Sequence, residues 1–254
     1  LLVDDCIENM RDFFDGGARW YWGCVNLAGL VNVFESLTVI RELVYRQHRY
    51  TAREFLDKLT QQDPEFLKDA ASCPRYGVDN GDADALAAAY THDICEAYKE
   101  IPCYPRGGFI PVSNLFVAYT GAGKGVGATP DGRAAKDPLA DSLGAIMGHD
   151  TEGPTALLNS VSSIPLNEIL GTPVVNLRLR KDHVFQYLRP LVETFFSKGG
   201  MQLQVSCVSR EDMLDAQKHP ERHKNLIVRI GGYSEYFNYL SVDLQQTVIN
   251  RTEH

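Results

Sequence analysis

Through the first hundred positions, apolar residues recur mostly at helical spacing. In ESLTVIRELVYRQHR, Leu37, Ile40, Leu43 and Val44 fall on one stripe, which predicts an amphipathic helix. Upstream, VDDCIENMRDFF shows the same spacing and predicts a helix at the start of the chain. Thr51 and Glu54 form a capping-box pattern that opens AREFLDKL. Asp63 followed by Pro64 offers an N-cap and a proline at the first helical position. DADALAAAYTHDICEAYKE reads as a further helix, rich in alanine and capped by Asp82.

From Ile101 to about Gly153 proline, glycine and aspartate cluster, which predicts loops around a few short strands. NLFVAY has the length of an apolar strand, and ATPDGRAAKDPLADS is turn chemistry throughout. Beyond it the period changes to two. PVVNLRLR and MQLQVSCV read as strands, and NLIVRI as a third. Between them Asp182 can cap HVFQYLRPLVETFFSK, which Gly199 and Gly200 end. Ser209 caps REDMLDAQK, which Pro220 stops, and VDLQQTVINRTE closes the chain as an amphipathic helix. Strands alternating with helices predict an α/β fold with a parallel or mixed sheet.

Composition narrows the function classes. The 254 residues are 44% hydrophobic and 23% charged, with a formal charge of -8 and no basic block, so nucleic-acid binding has little support. No apolar run reaches the roughly 20 residues of a membrane span, and the N-terminus lacks a signal pattern. The six cysteines form no Cys-x-x-Cys, which points to reduced thiols in a cytosol, each serving as a small buried hydrophobe.

Several motifs fail on inspection. TGAGKGVGATP places Ala118 where a phosphate loop needs its first glycine, and Gly125 where it needs Ser or Thr. The run reads instead as a flexible or tightly turned connection. No Gly-x-Ser-x-Gly elbow occurs. His149 and Asp150 could bind a metal in principle, but nothing fixes a ligand set, and no metal site is expected. Arg178 and Arg180 share one strand face and could hold an anion, although ordinary ion pairs are the favoured reading.

There remains NLIVRIGGYSEYFNYLS, where two glycines interrupt a strand-like run ahead of a cluster of aromatics. A turn explains such a pair in most proteins. Here the surroundings resemble the glycyl radical enzymes, the superfamily of pyruvate formate-lyase and its dehydratase, decarboxylase and lyase relatives. Arg229, Ile230, Gly231, Gly232 and Tyr233 are similar to the family's C-terminal hallmark, followed by Ser234, Tyr236, Phe237 and VINRTEH. PDGR, PLAD and GPTA, between Pro130 and Ser160, resemble a second family block, and GARWYWGCVNLAGLVNVFESL a weaker third. Gly231 and Glu235 depart from the usual residues and point to a less common subgroup.

The resemblance implies a definite chemistry. Gly232 would store a radical at Cα, stabilised by donation from the amide nitrogen and withdrawal by the carbonyl. A side chain would crowd that planar carbon. Gly231 would lend permissive backbone, while Arg229, Tyr233 and Ser234 support the loop and the flanking aromatics exclude oxygen and water. No bound cofactor is implied beyond the glycyl radical itself. A radical-SAM activating enzyme with an iron–sulfur cluster would generate it, and a cysteine thiyl would then attack a small organic substrate. Cys24 and Cys207 do not match the family's cysteine loop, so that residue is expected on an N-terminal segment or chain that precedes these residues.

The implied fold is the C-terminal portion of a ten-stranded α/β barrel, with residues 1–170 in the barrel and 171–254 as the glycyl radical domain. The complete enzyme would be a cytoplasmic, oxygen-sensitive homodimer of anaerobic metabolism. It would cleave C–C, C–O or C–N bonds as an acyltransferase, decarboxylase or dehydratase, and GGYS leans slightly towards a decarboxylase-like or uncharacterised branch. The alternative is a non-catalytic spare part that restores an oxygen-damaged relative.

Overall fold

The computed structural model describes residues 3–115, 117–171 and 173–254. Strand β1 (Gly23–Asn26) leads into helix α1 (Leu30–Ile40), which continues as a wider π turn to Arg46. Helices α2 (Ala52–Gln61), α3 (Pro64–Ala71) and α4 (Gly81–Lys99) follow, then β2 (Phe109–Val112), α5 (Ala118–Lys124) and α6 (Pro154–Ser163). The last third holds β3 (Val174–Arg178), α7 (Lys181–Ser197), β4 (Gln202–Ser206), α8 (Arg210–Lys218), β5 (Ile227–Arg229), β6 (Ser234–Tyr236) and α9 (Val242–Ile249).

The fold is α/β, as the alternation predicts. β1 pairs in parallel with β2, and β3 with β4, each pair joined by helical crossovers. A single parallel bridge from Val112 to Gly171 joins the β2 edge to the chain entering β3. β4 packs beside β5, which turns back on β6 as an antiparallel hairpin with Arg229 opposite Ser234. Phe34, Tyr76, Leu157, Val161 and Phe195 belong to a core shared by α1, α4, α6 and α7. A separate core of Met213, Val228, Ile230, Phe237, Val248 and Ile249 fastens the hairpin to α8 and α9. Burying each such side chain stabilises the fold by roughly 1.5–3 kcal/mol.

Local chemistry accounts for the helix starts, with two corrections. The Thr51–Glu54 capping box forms, and Asp63 and Ser209 cap α3 and α8. α4, however, is capped by Asn80, whose Oδ1 accepts from the Asp82 and Ala83 amides at 3.2 Å each. Asp82 lies inside the first turn and pairs with Arg41 and Arg46. α7 starts one residue before Asp182, at Lys181, and Asp182 pairs with Arg180 at 2.9 Å.

Three further expectations fail for physical reasons. VDDCIENMRDFF forms successive turns, because Asp5 and Met10 take positive φ and the Asn9 and Asp12 side chains bond backbone groups. NLFVAY is no strand among its described residues (Phe116 lies outside them). Leu115 and Tyr119 sit four apart and bury together against Leu139, and Ala118 begins α5. α5 also takes in the start of the glycine run. A Cβ on Gly123 would lie 2.1 Å from the Asp137 carbonyl oxygen, so this glycine serves close packing and not flexibility.

Arg178 meets its expectation only in part. It is 4% exposed, and the expected ion pair is a long one, with Nε 3.8 Å from Glu253 Oε2. Its Nη1 donates to the carbonyls of Val248 and Ile249 at 3.2 and 3.3 Å, and Nη2 to that of Arg251. The guanidinium therefore satisfies carbonyls at the C-terminus of α9, and burial lowers its pKa.

Candidate active site

Gly231 and Gly232 form the centre of the β5–β6 turn. The Ile230 N–H donates to the Tyr233 carbonyl at 3.0 Å and closes it. Gly232 has φ +81°, in the left-handed region that glycine enters without strain, whereas Gly231 is buried and keeps a non-positive φ. The permissive backbone thus falls on Gly232 itself. The two glycines of the turn sit in different environments, Gly231 buried and Gly232 exposed.

The stem is held from three sides. On the sheet side, Gln204 Oε1 accepts from the Gly232 N–H at 3.0 Å and from Arg229 Nε at 2.8 Å. Across the hairpin, Arg229 Nη1 donates to Ser234 Oγ at 3.3 Å. From beneath, Arg251 donates to the carbonyls of Arg229 and Ile230 at 2.8 and 2.7 Å. Arg251 in turn pairs with Asp141 at 3.0 Å, and the same carboxylate oxygen accepts from Asn176 at 2.7 Å. Burial raises the Asp141 pKa, an effect that the Arg251 charge and the Asn176 bond only partly offset.

Of the residues expected at the site, Arg229, Gly231, Gly232 and Ser234 are brought together, with Tyr233 closing the turn. Gln204, Asp141, Asn176 and Arg251 join them and were not singled out from the sequence. Asp141 lies in the PLAD block and Arg251 in VINRTEH, so both segments were visible without their roles. The aromatic shield does not form within this chain. Tyr233 and Tyr236 are 41% and 40% exposed, and Phe237 alone of the near flank is buried.

Other candidate chemistry lies elsewhere. His149 Nδ1 meets Glu35 Oε2 at 2.7 Å, while Asp150 faces Thr252 and His254, so the two neighbours do not form a metal pair. His92, Glu96 and Glu168 have ligand atoms close enough for a metal, but lie on α4 and the segment after α6 and already pair, Glu96 with Lys99 and His92 with Glu168. A cavity of about 640 Å³ between α3, α5 and α9 is lined by Arg75, Lys124, Lys136 and His149, and by none of residues 229–234. Cys24 is exposed on β1, and Cys207 is half-buried just after β4. Cys6, Cys73 and Cys95 are buried, so the expectation of small buried hydrophobes holds for three of the six.

The hairpin can now be set beside known proteins. The family described as "Pyruvate formate lyase-like" matches residues 1–119, and that described as "Glycine radical" matches residues 139–238. The chain belongs to the glycyl radical enzyme superfamily. It is 35% identical to the probable dehydratase YbiW of Escherichia coli, over all of this chain and 34% of that protein. It is 32% identical to the trans-4-hydroxy-L-proline dehydratase of Clostridioides difficile, over 99% of this chain and 33% of that one. The glycerol-bound B12-independent glycerol dehydratase of Clostridium butyricum superposes with a TM-score of 0.93 at 30% identity, covering all of this chain and 33% of that structure. The chain thus spans about a third of the length of these glycyl radical enzyme relatives. No helix among the described residues is long and apolar enough to cross a membrane.

Proposed function

We propose that this chain supplies the radical-storing part of a glycyl radical lyase and that Gly232 carries the radical. The observation behind this is the hairpin tip: a glycine with left-handed backbone, no side chain, its N–H fixed, within the region matched by the glycine radical family. A radical-SAM activating enzyme with an iron–sulfur cluster would remove a hydrogen atom from Gly232 Cα. Residues 171–254 would act as the radical domain beside the barrel portion, 1–170.

The exposed tip supports a further part of this reading. A radical at Gly232 needs a cover that Tyr233 and Tyr236 do not provide, and a thiol within reach. We assign both to a segment or chain that completes the ten-stranded barrel and brings the thiyl cysteine. The dehydratase names of the relatives reported above favour C–O cleavage of a small hydroxylated substrate over C–C cleavage. The match over residues 1–119 weighs against a spare part limited to the radical domain.

The test is anaerobic activation of the complete protein with an activating enzyme and reductant, read by electron paramagnetic resonance. A glycyl doublet is expected in the parent and in Gly231→Ala, and none in Gly232→Ala. A doublet that survives Gly232→Ala overturns the assignment. A screen of diols and hydroxylated amino acids on the activated protein then tests the C–O reading.

A further inference from the structure

We propose that Gln204 is the positioning residue of the radical site, its side-chain carbonyl fixing the peptide plane of Gly232. The inference rests on Gly232 as the radical carrier and adds the group that orients it. Gln204 lies at the middle of β4, 6% exposed, opposite Asn176 in the parallel ladder with β3. A group on a paired strand is held more rigidly than one on a loop.

Two donors, the Gly232 N–H and Arg229 Nε, converge on Oε1 at 3.0 and 2.8 Å. They determine which end of the amide faces the hairpin, because the flipped side chain would turn an NH2 group towards two donors. The radical at Cα is stabilised when the p orbitals of the amide nitrogen and the carbonyl align with its own, so Gly232 has to rotate away from its resting φ of +81°. The bond from Gln204 holds the nitrogen end of that unit in place and, by drawing on the proton, leaves more electron density on nitrogen for donation to Cα.

A second observation separates this role from ordinary packing. Gln204 Nε2 is buried and finds no acceptor among the described residues. Leu203 and Val205, on the other face of β4, pack against the main core, whereas the Gln204 carbonyl touches two groups, both on the hairpin.

The experiment uses the complete protein with Gln204→Glu, which keeps an acceptor at the same reach, Gln204→Leu, which removes it, and Gln204→Asn, which shortens it by one carbon. Before activation, exchange of the Gly232 amide is expected to be about fivefold faster in the Leu and Asn variants, the factor of one ordinary hydrogen bond, and near the parent rate in the Glu variant. After activation, double resonance in H2O and D2O is expected to show a changed exchangeable amide-proton coupling in Gln204→Leu and Gln204→Asn, with Gln204→Glu retaining a hydrogen-bonded signature. If Gln204→Leu does not fold, Gln204→Asn decides. Parent-like exchange and coupling in a folded Leu or Asn variant overturns the proposal, as does equal loss in all three. A missing parent doublet, or one that survives Gly232→Ala, overturns the radical assignment and this proposal with it. That outcome is told apart because it does not depend on position 204.

Discussion

Asp84 is a buried carboxyl group that keeps its proton to higher pH than an ordinary aspartate. It is buried on α4, accepts from Ser160 Oγ at 3.0 Å, and leaves its other oxygen without a partner among the described residues. Burial pushes its pKa up to about 6 from an ordinary 3.8. Ser160 pulls the other way, and Asp79 adds to the rise. Because the folded value is raised, the folded protein binds this proton more tightly than the unfolded chain. The contribution is therefore complete below pH 3.8 and is lost as pH rises through about 6. Above that, the ionised group costs on the order of 3 kcal/mol. Asp84→Asn keeps an acceptor for Ser160 without the charge, so its melting temperature should exceed that of the parent by a few degrees at pH 8, the gap closing towards pH 4. A pH series by calorimetry checks this, and a gap that does not change with pH contradicts it. At this scale the sequence marks what is local. Arg229, Gly232 and Ser234 stand within six positions, and their grouping is legible as a motif. Gln204 and Asp141 are 28 and 110 positions from their partners Gly232 and Arg251, and no local pattern encodes such a meeting.

Among the elements, the end of α9 governs the hairpin. Arg251 leaves that helix to bind two hairpin carbonyls and Asp141 together, and Arg178 satisfies the carbonyls from which it departs. The Arg251 and Asp141 side chains are only 12% and 11% exposed, so removing one strands the other. Arg251→Met should destabilise the protein by roughly 3–5 kcal/mol, and Arg251→Met with Asp141→Asn by less than the sum of the two single changes. Arg251→Lys keeps the charge but not the planar fork, and should speed exchange at the Ile230 amide even though the helix stays folded. Denaturant unfolding and amide exchange read these separately. Elements with a local start signal, such as α2, α3 and α8, are legible from their caps. α5 is not, since a short apolar run fits either period until Tyr119 finds Leu139 and Gly123 finds the Asp137 carbonyl. For α4, Asn80 and Asp82 both offer capping chemistry, and the two amides that Asn80 reaches decide between them.

For the whole molecule, the last residues tie the hairpin unit to the rest of the fold. The Arg180 and His254 backbones bond across β3, Glu253 lies beside Arg178 and accepts from the Arg210 amide, and Thr252 and His254 converge on Asp150. The alternation of strands and helices makes the parallel β3–α7–β4 unit legible, but the sequence does not show that the tail would dock on its edge, because four polar residues carry no periodicity. Asp150 makes that docking sensitive to acid. Burial works to raise its carboxyl, but the bonds from His254 and Thr252 outweigh it and hold the pKa below the ordinary 3.8. A depressed folded value stabilises above the unfolded one, and the benefit is lost as pH falls through the folded value. Asp150→Asn should accordingly be less stable than the parent at pH 6, by about 1 kcal/mol for the weakened bonds. The two should converge as pH drops below 3.8. Urea unfolding at pH 6, 4 and 3 gives the comparison. A deficit that stays unchanged even once the carboxyl of the folded protein is protonated would show that Asp150 acts through packing and not through its charge.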